Sequence, residues 1–294
     1  MRVGVIGTGA MGGGVVEALA RAGIATVARD IRAEAQERAV RNGAAPSSSP
    51  ADLARRCQAA IILVVDAPQV ETVLFGAEGA AAAFAPGGVV VVSSTVDPAF
   101  PESLAPRLAA HGIALLDAPV SGGPAKASAG TMTMMVSGDA DAFARVRPVL
   151  ARITGRLFDL GPRPGDASTA KIVNNLLAGA NLAAAAEALA IADRAGLDLR
   201  TVADVIGASS GGSWIFADRV PRALAGDRGV RAAARILTKD VGIAVDVAER
   251  MGVEATFAQA AYAAFVDALA AGYGEEDDAV LVRRALERAA QGRG

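Results

Sequence analysis

Three groups of residues have the types and spacing to do chemistry. The first is the glycine cluster of "VGVIGTGAMGGGVVEALARAG". Gly7, Gly9 and Gly12 have G-x-G-x-x-G spacing, directly after a strand-like run and at the start of a helical one. Ala10 and Met11 open that helix between the last two glycines. Glycines here permit a tight turn and close backbone approach, and the helix N-terminus then faces a pyrophosphate. The second run, "ATVARD", ends in Asp30, at the distance where a carboxylate binds the adenosine ribose hydroxyls. A carboxylate repels a 2′-phosphate, which favours NAD. Arg29 and Arg32 beside it could offset that phosphate, so NADP stays open.

The second group is "GDASTAKIVNNLLAG". Of 29 basic residues only Lys126, Lys171 and Lys239 are lysine. Lys171 starts an i, i+3, i+4 set with Asn174 and Asn175, which puts all three near one helical face. Dehydrogenation of an alcohol needs a base at the hydroxyl, and the usual candidates are missing. His111 is the only histidine, and the glycine after it marks a helix end. Cys57 is the only cysteine, so a zinc site of the alcohol-dehydrogenase type lacks ligands. No Tyr-x-x-x-Lys pair exists: Tyr262 is followed at +4 by Val266, and Tyr273 by Asp277. Lys171 is the best remaining base, and the asparagines could orient its ammonium or bind substrate hydroxyls. A lysine at its ordinary pKa of about 10.4 is a poor base at neutral pH. Partial burial and the positive charge of an oxidised nicotinamide both lower it.

The third group is "DAPVSGGPAKASAGTMTMMVSG". Backbone N–H groups at Ser121, Gly122 and Gly123, with the serine hydroxyl, could form a nest for a carboxylate. The same residues also describe an ordinary Ser-Gly-Gly-Pro turn. Lys239 and Asp240, in "LTKDVGIAVDVAERMG", head a further helix, either as a functional pair or as an exposed ion pair.

These groups need elements to position them. Residues 1–162 alternate β-branched runs with helices: strands at 2–6, 25–29, 59–65, 89–93, 113–117, 131–136 and 156–160, and helices such as 11–22, 32–42, 99–111 and 139–153. Continuous apolar strands separated by helices predict a doubly wound, Rossmann-type parallel sheet covered on both faces. Residues 163–294 carry no strand signal and predict an all-helical second domain, opened by a long helix from about 167 to 195. The Gly-Asp-Ala-Ser-Thr cluster before it supplies its expected N-cap.

Composition narrows the class. A formal charge of −2 argues against nucleic acid or an anionic membrane as partner. A single cysteine excludes an intrachain disulfide, and the chain enters a strand without a leader, so the expected compartment is the cytoplasm. Asn181 and Glu187 interrupt the alanine-rich run 176–192, which reads as a buried or interface helix rather than a membrane span. No metal is expected.

Taken together, the motifs resemble the β-hydroxyacid dehydrogenase family, which includes 3-hydroxyisobutyrate dehydrogenase, over essentially the whole chain. "GVIGTGAMG" looks like its cofactor loop, "DAPVSGGPAKASAGTMTMMVSG" its substrate loop, "KIVNN" its catalytic segment and "LTKD" its late cofactor contact. The resemblance implies Lys171 as catalytic residue, the substrate carboxylate on Ser121, Gly122 and Gly123, and Asn175 near the substrate. It also implies Val64, Val65, Thr95 and Lys239 along the cofactor, and a homodimer or homotetramer. "GGSWIFADRVPRALAGD", "AGYGEEDDAVLV" and "LVVDAPQV" are similar to the threonate dehydrogenase branch. In that light Trp214 and Phe216 are pocket-wall candidates, with helical core the alternative for both.

Two features depart from the pattern. Ala167 replaces the second glycine of G-x-G-x-x-x-K, and Asn174–Asn175 stand where the threonate branch shows His-Gln. The implied reaction is NAD-dependent oxidation of a small hydroxy acid or sugar acid, with L-threonate preferred and its C2 alcohol becoming a ketone. The alternatives are a 3-hydroxyisobutyrate dehydrogenase, an NADPH-dependent reductase of small semialdehydes, and a cofactor-binding regulator without turnover.

Overall fold

Val3–Ile6, Ala59–Ile62 and Val89–Val92 are buried at every position, as strands covered on both faces must be. The computed structural model describes residues 1–291 of the chain. It divides into two compact units, Met1–Lys171 and Ile172–Gly294.

The first unit runs β1 (Val3–Ile6), α1 (Ala10–Arg21), β2 (Thr26–Arg29), α2 (Ala33–Arg41), β3 (Ala45–Pro46), α3 (Pro50–Arg56), β4 (Ala59–Ile62) and α4 (Ala67–Phe75). It continues with β5 (Val89–Val92), α5 (Ala99–Ala109), β6 (Ala114–Asp117), β7 (Val120–Ser121), α6 (Gly123–Ala129), β8 (Met132–Gly138), α7 (Ala140–Leu150) and β9 (Thr154–Asp159). The sheet order is β3-β2-β1-β4-β5-β6-β8-β7, with β9 paired to β8. The first six of these strands are parallel, in the doubly wound 3-2-1-4-5-6 order. Alternate side chains feed two cores. Val3, Val5, Ile61 and Val91 pack on one side with α1 residues Val15, Val16 and Leu19. Ile6, Ile62, Val90 and Val92 pack on the other with Leu53, Leu74, Leu104 and Leu108.

The parallel sheet gains an antiparallel edge beyond β6, because β8 runs antiparallel to both β6 and β7. An apolar run does not encode its own direction. The strand predicted at 59–65 stops at Ile62, so Leu63, Val64 and Val65 leave the sheet as a loop. The helix at 166–194 is not capped by its local Gly-Asp-Ala-Ser-Thr cluster, since the acceptor is the distant Asp117.

The long helix is α8 (Asp166–Arg194), and the chain division falls within it. The second unit continues with α9 (Leu199–Gly207), α10 (Trp214–Leu224), α11 (Ala234–Arg250), α12 (Thr256–Ala270) and α13 (Val280–Gln291). Its core gathers Leu182, Leu189, Ile215, Phe216, Val220, Phe265 and Leu281. Gly179 lets α8 approach α11, since a Cβ there would lie 2.5 Å from Val241 Cγ2. Length and composition alone would allow α8 to cross a membrane, although no other helix among the described residues meets that test.

Candidate active site

The glycine loop sits where β1 ends and α1 begins. Gly7 has φ +85°, and a Cβ on it would lie 2.6 Å from the Leu63 carbonyl oxygen. A Cβ on Gly12 would lie 1.9 Å from the Gly7 carbonyl oxygen. Both glycines are therefore required by backbone contact. Gly9 is different: only the flexible tip of Arg32 comes within 4 Å of an added Cβ, at 3.1 Å. Gly9 is also the N-cap of α1 and brings no side-chain acceptor to the first-turn amides around Ala10, Met11 and Gly12. A turn closed by glycine on one side, open on the other and ending in an uncapped helix start fits a pyrophosphate.

Asp30 follows the last residue of β2 and is buried. Its Oδ2 accepts from the Thr8 N–H (2.7 Å), and its Oδ1 accepts from the Arg32 N–H (2.9 Å) and Nε (3.1 Å). Arg29 turns elsewhere, donating to the Asp30 carbonyl and to Gln36. Burial pushes the Asp30 carboxyl up, but its hydrogen bonds from Arg32 and Thr8 outweigh that and hold it below the usual range. Val64 and Val65 lie in the loop after β4, and Thr95 follows β5. All follow the carboxyl ends of the parallel strands β4 and β5, beside the point between β1 and β4 where the strand order reverses, the switch point at which such sheets bind ligands. Ser93 Oγ and Ser94 Oγ are buried there without a hydrogen-bond partner among the described residues, as expected beside a polar ligand or ordered water. These features fit a dinucleotide.

Ser121, Gly122 and Gly123 link β7 to α6, with Gly122 and Gly123 at φ +134° and +75°. Helix α6 is held tightly to α1: a Cβ on Gly14 would lie 2.6 Å from the Ser128 nitrogen, and Glu17 and Arg21 both bond Ser128. The loop is thereby fixed relative to the helix that starts at the glycine cradle. Lys126 lies on α6.

Lys171 lies at the sixth position of α8 and is 7% exposed. Gly165, at φ +97°, turns the chain into that helix, and a Cβ there would lie 2.7 Å from the Pro98 carbonyl. Ala167 is already helical and fully buried, so its methyl is accommodated where the family pattern has glycine. Asn174 and Asn175 follow on α8. Asn174 Nδ2 donates to Asn175 Oδ1 (3.0 Å), Asn175 Nδ2 donates to Asp240 Oδ2 (2.6 Å), and Lys239 Nζ lies 2.7 Å from Asp240 Oδ1. Lys239 and Asp240 are thus not an exposed pair at the head of a helix. Helix α11 starts at Ala234, and Asp240 is buried in its second turn.

Trp214 opens α10, whose N-cap is Ser213, and is 61% exposed, whereas Phe216 belongs to the core. His111 stands exposed beyond the end of α5 with its ring tilted against Phe75. Cys57 is buried, and burial pushes its thiol up to about 11. Nothing in the sequence marks Asp117 and Ser137 as partners of the α8 start; Ser168 belongs to the cluster expected to cap that helix locally, and Asp240 was not foreseen as the partner of Asn175. Their partners lie between 30 and 65 residues away in the chain.

Two family models cover the chain. The NAD binding domain of 6-phosphogluconate dehydrogenase matches residues 2–161. The NAD-binding domain of NADP-dependent 3-hydroxyisobutyrate dehydrogenase matches residues 165–285. L-threonate dehydrogenase of Cupriavidus necator is 47% identical, covering 96% of this chain and 95% of that protein. The crystal structure of a 3-hydroxyisobutyrate dehydrogenase from Salmonella typhimurium is 40% identical, with TM-score 0.89 over 96% of this chain and 99% of that one. Psf3 in complex with NADP+ and 2-OPP is 27% identical, with TM-score 0.87 over 96% of this chain and 99% of that one. With the glycine cradle and the uncapped helix start, these likenesses make the chain an NAD(P)-dependent oxidoreductase acting on the CH–OH group of a small hydroxy acid. It belongs to the 3-hydroxyisobutyrate dehydrogenase-like β-hydroxyacid dehydrogenases, in their L-threonate branch.

Proposed function

We propose that the chain oxidises L-threonate at C2 to the ketone with NAD as cofactor, and that Lys171 is the general base. One observation carries this reading: Lys171 is buried, one turn into α8, where a charged side chain is costly to keep without a task. Neutral Lys171 accepts the C2 hydroxyl proton on Nζ while the C2 hydrogen leaves with its electron pair. NAD, when bound, supplies the hydride acceptor. Ser121, Gly122 and Gly123 hold the substrate carboxylate. Asn174 and Asn175 bind substrate hydroxyls, with the Asn175 amide oriented by Asp240. Trp214 forms a pocket wall. Gly7, Gly9, Ala10, Met11 and Gly12 cradle the pyrophosphate, Asp30 takes the adenosine ribose, and Val64, Val65, Thr95 and Lys239 line the cofactor. Asp30 supports NAD over NADP.

We assign residues 1–162 to the NAD-binding domain and 163–294 to the helical substrate and oligomerisation domain of a cytoplasmic homodimer or homotetramer. The substrate comes from the 47% identical relative. A second reading, 3-hydroxyisobutyrate, is favoured by Asn174–Asn175, the pair that hydroxyisobutyrate enzymes carry.

Lys171→Ala is expected to lower kcat roughly 1,000-fold while NADH binding persists, the usual scale for a proton-transfer group. Near-normal turnover overturns the lysine assignment. Initial rates with L-threonate and 3-hydroxyisobutyrate, each with NAD+ and NADP+, and with succinic semialdehyde and NADPH, separate the substrate readings. Preference for either of the last two substrates replaces threonate.

A further inference from the structure

The first turn of α8 is held by a side chain from another element. Asp117, the last residue of β6, is fully buried. Its Oδ2 accepts from the backbone N–H of Gly165 (3.1 Å) and of Ser168 (2.8 Å), and its Oδ1 accepts from Ser168 Oγ (2.7 Å). Ser137 on β8 extends the group, accepting from the Ala167 N–H at 3.0 Å and approaching Asp117 Oδ2 at 3.5 Å. Helix-start amides that lack an intrahelical partner are here taken by one buried carboxylate and its serine neighbour.

A helix end by itself does not call for this. A local serine or aspartate caps a helix without burying a charge, and the segment "GDAST" offers several. Burial pushes the Asp117 carboxyl above its ordinary value against the hydrogen bonds from Ser168, Gly165 and Ser137, so the arrangement is expensive. Its distinctive consequence is geometric. Ser121 lies four residues beyond Asp117, and Lys171 lies three residues, one helical turn, beyond Ser168. One carboxylate therefore joins the chain segment entering the Ser121–Gly123 loop to the turn that presents the lysine.

We propose that Asp117 is a positioning residue for the oxidation: clamped between the end of β6 and the first turn of α8, it sets Lys171 Nζ relative to the Ser121–Gly123 loop. The proposal rests on Lys171 being the proton acceptor.

The test compares Asp117→Ala, Asp117→Asn and Ser168→Ala with the wild type, with kcat expressed per NADH-binding site. Asp117→Ala is expected to lower kcat about 100-fold, the effect of an ångström-scale misplacement, with the NADH Kd within about twofold. Asp117→Asn can rebuild the clamp. Its amide oxygen accepts the Gly165 and Ser168 N–H groups, and its NH2 donates to Ser168 Oγ, which turns to accept. It is expected to keep kcat within about fivefold of wild type.

A purely structural role would reduce the number of NADH-binding sites but not kcat per site. Asp117→Ala turning over within about threefold of wild type overturns the proposal, and so does Asp117→Asn falling as low as Asp117→Ala. Should Asp117→Ala not fold, Ser168→Ala decides: losing one of the four donors to Asp117 is expected to lower kcat roughly fivefold, and an unchanged kcat overturns the proposal. Lys171→Ala is measured alongside. If it is inactive while Asp117→Ala is normal, only the clamp falls. If Lys171→Ala is active, the lysine assignment falls and the clamp with it.

Discussion

Asp30 concentrates the cofactor question in one side chain. Its oxygens are shared between Thr8 and Arg32, so ribose hydroxyls bound there, as proposed above, would compete with an arginine whose side chain is 64% exposed. Removing the carboxylate leaves Arg32 without its ion-pair partner. Asp30→Ala is therefore expected to shift the ratio of kcat/KM for NAD+ over NADP+ toward NADP+ by about tenfold, read from steady-state rates. Because Asp30 is depressed in the folded chain, its stabilisation is fully present above the unfolded carboxylate value of about 3.9 and is lost as pH falls through the folded value. The Tm gap between wild type and Asp30→Asn is accordingly expected to be constant from about pH 5 to 8 and to close below about pH 4. The glycine cradle and Asp30 were legible because their signal is local and each residue type has its own backbone or charge reason. Asp117 with Ser168, and Asn175 with Asp240, were not legible: 51 and 65 residues separate partners that only the fold brings together.

Elements were legible in proportion to their length and to the strength of their period. The seven sequence-predicted strands and α8 stand out, whereas the two-residue β3 and β7 and the seven-residue α3 and α6 offer too few positions for any period to show. Short elements nonetheless carry weight. Helix α3 inserts Leu53, fully buried, against β1, where Gly4 leaves the space: a Cβ on Gly4 would lie 2.2 Å from Leu53 Cδ2. No side chain on Gly4 can refill the gap if Leu53 is truncated. Leu53→Ala is expected to cost about 3 kcal/mol, measured by urea unfolding with and without NAD+. Gly4→Ala is expected to be destabilised as well, since it drives the same two groups together.

At the scale of the whole molecule, each unit closes its own core, yet α8 leaves an apolar face bare. Val173, Leu177, Ala184 and Ile191 fall on one stripe of the helix, and Leu177 and Ile191 are 56% and 65% exposed. The stripe borders a groove lined by alanines of α8 and α12, with Phe257 beside it at 81% exposure. Glu187 stands on one wall of that groove and Arg288, 61% exposed, on another. In the homo-oligomer proposed above, two copies related by a two-fold axis would bring these apolar stripes together, the self-complementary pattern of an isologous interface. Burying one leucine is worth roughly 2 kcal/mol, and a two-fold interface contains it twice, so about 4 kcal/mol or nearly 1,000-fold in Kd hangs on this position. Leu177→Glu is expected to convert the proposed oligomer to monomer at micromolar concentration, read by sedimentation equilibrium, with far-UV circular dichroism unchanged. A wild-type chain already monomeric there, or a Leu177→Glu chain that keeps the wild-type mass, removes α8 as the interface.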